Sequence, residues 1–176
     1  MFVLGIDPGL SRCGYGAVRR DGSSKLKAVA GGVVSTPADV GLPERLRSLL
    51  AELQQLIVEM NPDVVVIEHV FFQNNARTAM SVSQASGLAM VAAAQSGCQV
   101  VQYTSNEVKQ ALVGYGSATK LQVQRMVASV LHLDQPPRPP DVADALALAV
   151  CHLTTMPLRL ATEAALQRAG RAGAAS

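Results

Sequence analysis

Phe2-Val3-Leu4-Gly5-Ile6-Asp7-Pro8-Gly9 opens the chain with a short apolar run that ends in an acid and is turned by Pro-Gly. A run of this length reads as a strand. Gly14 to Val18 and Lys27 to Val34 read as two more, with Asp21-Gly22 as the hairpin turn. Three successive strands on short turns predict an antiparallel meander. The period then changes. Leu46, Leu49, Leu50, Leu53, Leu56 and Ile57 recur at helical spacing between Pro43 and Met60, and Asn61-Pro62 ends that helix. Val64 to Ile67 is continuously apolar, as in a strand buried on both faces. A second helix is expected from about Ala76 to Ser96, and a fifth strand from Gln99 to Tyr103. Thr104 with Glu107 carries a capping-box signature. A glycine-containing loop at Gly114 to Ser117 precedes a helix at Lys120 to Leu131. A proline-rich stop at Gln135 to Pro140 precedes a last helix at Val142 to Leu153. The order predicts an α/β domain, a mixed five-stranded sheet flanked by helices. The domain is expected over residues 1–156, followed by a flexible Ala/Arg-rich tail at 157–176 with one weak helix at most.

Composition narrows the classes. A chain of 176 residues, 49% hydrophobic and 16% charged, suits one soluble globular domain and not a disordered one. The net charge of +2 neither demands nor excludes a nucleic-acid partner, so any basic surface must be local. Cys13, Cys98 and Cys151 are scattered, without CxxC or Cys/His ligand spacing. Free thiols are therefore expected, rather than a zinc site or a disulfide framework. No apolar run reaches membrane-spanning length and the chain enters a strand at once, so a cytoplasmic protein is expected.

Four acids stand out against apolar sequence. Asp7 ends the first strand among glycines that leave room for a ligand, although Asp also begins ordinary turns. Glu68 follows four apolar residues, where a carboxylate costs free energy unless compensated. Asp141 and Asp144 lie three apart and so share one face of the last helix. Asp141, after Pro139-Pro140, also fits a plain first-turn acid. Asp144 is embedded in Val142-Ala143-Asp144-Ala145-Leu146-Ala147-Leu148, most of which must pack. Crowded carboxylates repel and raise one another's pKa values. Divalent cations remove that difficulty, and hard oxygen ligands suit Mg²⁺ or Mn²⁺. Two such ions can activate a water and stabilise the leaving oxygen of a phosphodiester.

Gly5-Ile6-Asp7-Pro8-Gly9, Ile67-Glu68-His69-Val70-Phe71 and Asp141-Val142-Ala143-Asp144-Ala145-Leu146-Ala147 resemble the three acidic motifs of the RuvC family of bacterial Holliday junction resolvases. Val108-Lys109-Gln110 with Gly114-Tyr115-Gly116-Ser117-Ala118-Thr119-Lys120 resembles a fourth family segment. The likeness runs from about Phe2 to His152 in consistent order and is specific as a set. Two positions depart from the family pattern. His69 stands where Gln is usual, and Ser86 stands where Gln84-Ala85-Ser86-Gly87 would carry an Arg.

The resemblance implies a ribonuclease H-like fold and a homodimer that nicks two symmetric strands of a four-way junction, in recombination and repair. It implies that Asp7, Glu68, Asp141 and Asp144 bind the metal ions, two Mg²⁺ per site with Mn²⁺ able to substitute. It also suggests partnership with the RuvA–RuvB branch-migration complex. Lys109 and Lys120 border the glycine-containing loop. Lysines are commonly just solvated, but a cation there could hold the scissile phosphate, and the resemblance favours Lys120 for direct catalysis. Arg77 and Arg125 are candidates for backbone contacts to DNA. Phe71 and Phe72 follow Glu68 in a chain of few aromatics. One can pack in the core while the other stacks on an unpaired base, and the resemblance points to Phe71. His69 could tune proton transfer beside Glu68; His132 and His152 carry no such argument. The Ala76–Ser96 helix, apolar on two sides through Met80, Leu88, Met90 and Val91, could pack on the sheet and on its twin across a two-fold axis.

Three other readings fit parts of the chain. Asp7-Pro8-Gly9-Leu10-Ser11 also resembles the first phosphate loop of actin-like and sugar-kinase ATPases. Those need two related domains and a second strand-ending Asp-x-Gly, whereas Asp39-Val40-Gly41 follows polar sequence. A non-catalytic binder of junction shape has no reason to set four carboxylates beside a phosphate backbone. An RNA-cleaving relative on the same fold would share the acids; the Lys109–Lys120 segment and Phe71 favour the junction enzyme by resemblance.

Overall fold

The computed structural model describes residues 1–22, 25–69 and 76–173, with the backbone alone for 76–78 and 157–173. The strands are β1 (Phe2–Asp7), β2 (Arg12–Arg20), β3 (Leu26–Ser35), β4 (Val64–Glu68) and β5 (Gln99–Tyr103). The helices are α1 (Leu42–Met60), α2 (Ala76–Gln95), α3 (Ser105–Val113), α4 (Lys120–Val130) and α5 (Pro140–Gly173). The expected mixed sheet is present, in the order β3-β2-β1-β4-β5. β1, β2 and β3 form the antiparallel meander, while β4 pairs parallel to β1 and β5 parallel to β4. The hairpin between β2 and β3 is longer than a two-residue turn: Arg20 pairs with Leu26, so the connection runs from Asp21 to Lys25.

Strand alternation sorts the core into two layers. Phe2, Leu4, Ile6, Val65 and Ile67 pack with Leu49, Leu53 and Ile57 of α1 and with Ala85, Ala89, Ala92 and Ala93 of α2. Val3, Val64, Val66 and Tyr103 pack on the opposite side, with Val108 of α3, Val123 and Val127 of α4, and α5. The same parity settles the direction of the acids. Asp7 follows Val3 and Gly5 on one face, Glu68 follows Val64 and Val66, and both emerge on the α3–α5 side of the sheet.

Helix α5 reaches this face because side chains are missing beneath it. Gly5, Gly16 and Gly31 stand in register across β1, β2 and β3. A methyl group on Gly16 would lie 2.7 Å from the Leu146 side chain, and one on Gly31 2.6 Å from Val142 Cγ1. At Gly5 it would run into the Ala145 carbonyl. The three glycines thus make a trough in which α5 lies against the backbone. Gly14, the register partner of Asp7, receives the backbone of Asp141 in the same way.

Two local features fix the helices beside the acids. The capping box expected at Thr104 and Glu107 is formed at α3. A second one, Thr119 with Gln122, starts α4 directly before Lys120. Helix α5 is longer than expected: it begins at Pro140 and runs past Leu153 to Gly173, so the segment after 156 continues a helix that Pro157 does not stop.

Candidate active site

Three of the expected acids line one cavity of about 330 Å³. Asp7 and Glu68 come from adjacent parallel strands, one step beyond the last paired residues Ile6 and Ile67. Asp144 comes down from α5, and Lys109 of α3 and Lys120 of α4 enter from the other rim. Val108, Val123, Ala147 and Leu148 supply an apolar wall, and Ser105 adds a hydroxyl. Sequence reading missed Ser105. Its signal was positional, as the first helical residue after a strand that pairs beside Glu68.

The electrostatics follow from crowding at low solvation. Burial pushes the Asp7 carboxyl up to about 8, and the charges of Glu68 and Asp144 push the same way. Asp7 donates a hydrogen bond to Glu68. Burial raises Glu68 as well, although that bond and the charges of Lys120 and Lys109 pull it back. Lys120 Nζ lies 2.5 Å from Asp144 Oδ2. Its partial burial favours the neutral amine, but the bond and charge of Asp144 outweigh this and raise its pKa.

Asp141 stands apart from the cavity lining. It lies over Gly14 on β2, and its Oδ2 accepts a 2.8 Å hydrogen bond from the guanidinium of Arg12. That bond holds the Asp141 carboxyl below its ordinary value and raises the arginine. With Asp7 protonated, three carboxylate charges (Glu68, Asp141 and Asp144) face three cations (Arg12, Lys109 and Lys120). The protein thus neutralises its own acidic cluster with one proton, two ion pairs and the nearby charge of Lys109.

Other expected residues are placed as follows. Arg125 is exposed on α4 and does not line the cavity. His69 is exposed, and its backbone N–H donates to the Tyr103 carbonyl. His152 is buried with Nδ1 3.1 Å from the Tyr103 hydroxyl, and His132 is exposed. Phe71 and Phe72 lie outside the described residues, as does the side chain of Arg77. All three cysteines are free thiols.

Among the described residues, no three Asp, Glu, His or Cys side chains form a ready-made ion shell. The donors nevertheless fit hard divalent cations. They are all carboxylate oxygens, and the shared proton of Asp7 and Glu68 marks a place where positive charge is favoured.

A mixed sheet of this order, with carboxylates at the ends of two central strands and on the crossing helix, defines a ribonuclease H-like nuclease. The chain belongs to the RuvC family: the model of that family, described as crossover junction endodeoxyribonuclease RuvC, matches residues 3–152. Crossover junction endodeoxyribonuclease RuvC of Syntrophomonas wolfei is 45% identical over 170 residues, 97% of this chain and 98% of that protein. The solved structure of Thermus thermophilus RuvC superposes with a TM-score of 0.83 at 36% identity, covering 90% of this chain and 96% of that one. The same relative in complex with a Holliday junction substrate gives a TM-score of 0.81 at 34% identity over the same shares. Nucleases of this family depend on divalent metal ions.

Proposed function

We infer that the chain is a crossover junction endodeoxyribonuclease that binds four-way DNA junctions and hydrolyses two of their strands. The observation that carries this is the family match over residues 3–152 with an acidic cavity inside that span. The test is cleavage of a synthetic four-way junction beside a plain duplex and an RNA–DNA hybrid of equal length. Symmetric nicks in the junction alone are expected, and equal cutting of the hybrid would remove the junction assignment.

In this reading Asp7, Glu68 and Asp144, with Asp141 of α5 over Gly14, would hold two Mg²⁺ ions, for which Mn²⁺ could substitute. Bound there, such ions activate a water and stabilise the leaving oxygen of the phosphodiester. The chain's own groups do the positioning. Asp7 holds its proton against Glu68 at the place that a cation would occupy. Lys120, held beside Asp144 in the cavity, would direct its charge toward a phosphate oxygen and offset the charge developing in the transition state. Lys109, on the same rim, holds the neighbouring phosphate. The apolar wall of Val123 and Leu148 limits competing water. Phe71 is assigned to stacking at the opened crossover, and Arg77 and Arg125 to backbone phosphates.

A junction with two-fold symmetry needs two sites, and one chain supplies one. The outward face of α2 supports a homodimer: Met80 and Val91 are 63% and 46% exposed, and Gly87 between them is open. A cytoplasmic location and partnership with the RuvA–RuvB branch-migration complex complete the reading. Among the described residues no helix is long and apolar enough to cross a membrane.

A further inference from the structure

Two of the four acids carry a cation, and the two pairs differ in position. Lys120 and Asp144 both line the cavity. Arg12 and Asp141 do not. Their contact lies beside the cavity, on the β2 side, with the arginine side chain 51% exposed and the aspartate 25%. Arg12 is the first residue of β2, and the chain just before it is pinned. The Thr36 N–H donates to the Ser11 carbonyl, the Thr36 hydroxyl donates to the Leu10 carbonyl, and the Arg45 guanidinium donates to the Ser11 hydroxyl. The backbone of Asp141 is equally fixed, against Gly14. Both ends of the ion pair therefore sit on rigid backbone, and only two side chains need to turn for it to open.

We propose that Arg12 is a positioning residue that occupies Asp141 in the metal-free protein and competes with a divalent cation for that carboxylate. The lysine ion pair of the cavity goes to Asp144, whereas Asp141 lies outside the cavity lining and takes its ion pair from Arg12. A guanidinium and a divalent ion are alternative partners for the same oxygens, so binding of the ion through Asp141 opens the Arg12 contact. Exposed ion pairs are weak, so this contact lowers affinity for an ion at Asp141 without excluding it. It also keeps Asp141 from repelling a phosphate backbone before metal arrives. The inference rests on the reading of Asp141 as a metal ligand.

The test needs no DNA. Mn²⁺ is titrated into the full-length protein, and the free ion is followed by its paramagnetic resonance signal, for wild type, Arg12→Gln, Asp141→Asn and the double variant. Melting temperature is recorded for each. Arg12→Gln should strengthen Mn²⁺ binding by roughly two- to five-fold, the range expected for losing a competing exposed ion pair. In the Asp141→Asn background the gain should vanish. Arg12→Lys, which keeps the charge but loses the planar fork, should fall between, and it carries the test if Arg12→Gln does not fold. A gain that persists in full in the Asp141→Asn background would be long-range electrostatics and would overturn the proposal. So would unchanged binding by Arg12→Gln where Asp141→Asn alone weakens it. Unchanged binding by Asp141→Asn would instead remove the ligand assignment on which the inference stands.

Discussion

Asp7 is held protonated near neutrality by its surroundings, and this has a thermodynamic signature. Its folded pKa, about 8, lies above the ordinary 3.8. The stabilisation this implies is fully present below the ordinary value and is lost as pH rises through the folded one. Metal-free protein should therefore melt at progressively lower temperature between about pH 4 and pH 8, while Asp7→Asn, which has no proton to lose, should follow a flatter curve. Scanning calorimetry in chelator checks this. Asp7→Asn should also abolish cleavage of a four-way junction in Mg²⁺ while band-shift affinity for the junction is kept, because a lost carboxylate removes no backbone contact. Near wild-type nicking by that variant would remove the metal-site assignment. Phe71→Ala should lower cleavage by roughly ten- to a hundred-fold, the loss expected when ~1–3 kcal/mol of base stacking is removed from the transition state. Its melting temperature should not change, and a junction already carrying unpaired bases at the crossover should be cut normally.

At the scale of elements, the glycine trough carries α5 and with it Asp141 and Asp144. Gly16→Ala would place a methyl group against Leu146. Overpacking of this kind costs about 1–3 kcal/mol, and displacement of α5 should weaken metal binding as well as stability. Urea unfolding and Mn²⁺ titration of the same variant measure both. The start of α4 is a second lever. The Thr119 side chain caps the helix whose first residue is Lys120, and Gln122, which closes that capping box, also donates to the Tyr115 hydroxyl at 2.8 Å. Thr119→Val should cost about 1 kcal/mol and loosen Lys120. A normal cleavage rate in a variant destabilised by that amount would show that the cap serves folding alone.

For the whole molecule the open question is how one acidic cavity cuts two strands. If α2 forms a two-fold interface, Met80→Asp with Val91→Asp should yield a monomer by sedimentation at micromolar concentration. Each monomer keeps its cavity, since α2 packs on the opposite side of the sheet from α3, α4 and α5. Paired symmetric cutting should then fall much further than single nicking of a junction. A dimer that survives both substitutions would place the interface elsewhere.

Much of this architecture was legible in the chain. Alternation and helical period marked the five strands and the helices, and Asp7, Glu68 and Asp144 stood out because each interrupts apolar sequence. Those signals are local, since side-chain direction along a strand or helix repeats over a few residues. Family motifs added the roles that periodicity cannot supply. The tertiary structure alone decided what each acid faces. Spacing put Asp141 and Asp144 on one helix face, yet Asp141 meets Arg12, 129 residues away in sequence, while Asp144 meets Lys120. Nor did the glycines at 5, 16 and 31 read as one feature until strand register set them side by side. Register and helix crossing join residues distant in sequence, and no local period encodes which distant charge will come to rest beside a carboxylate.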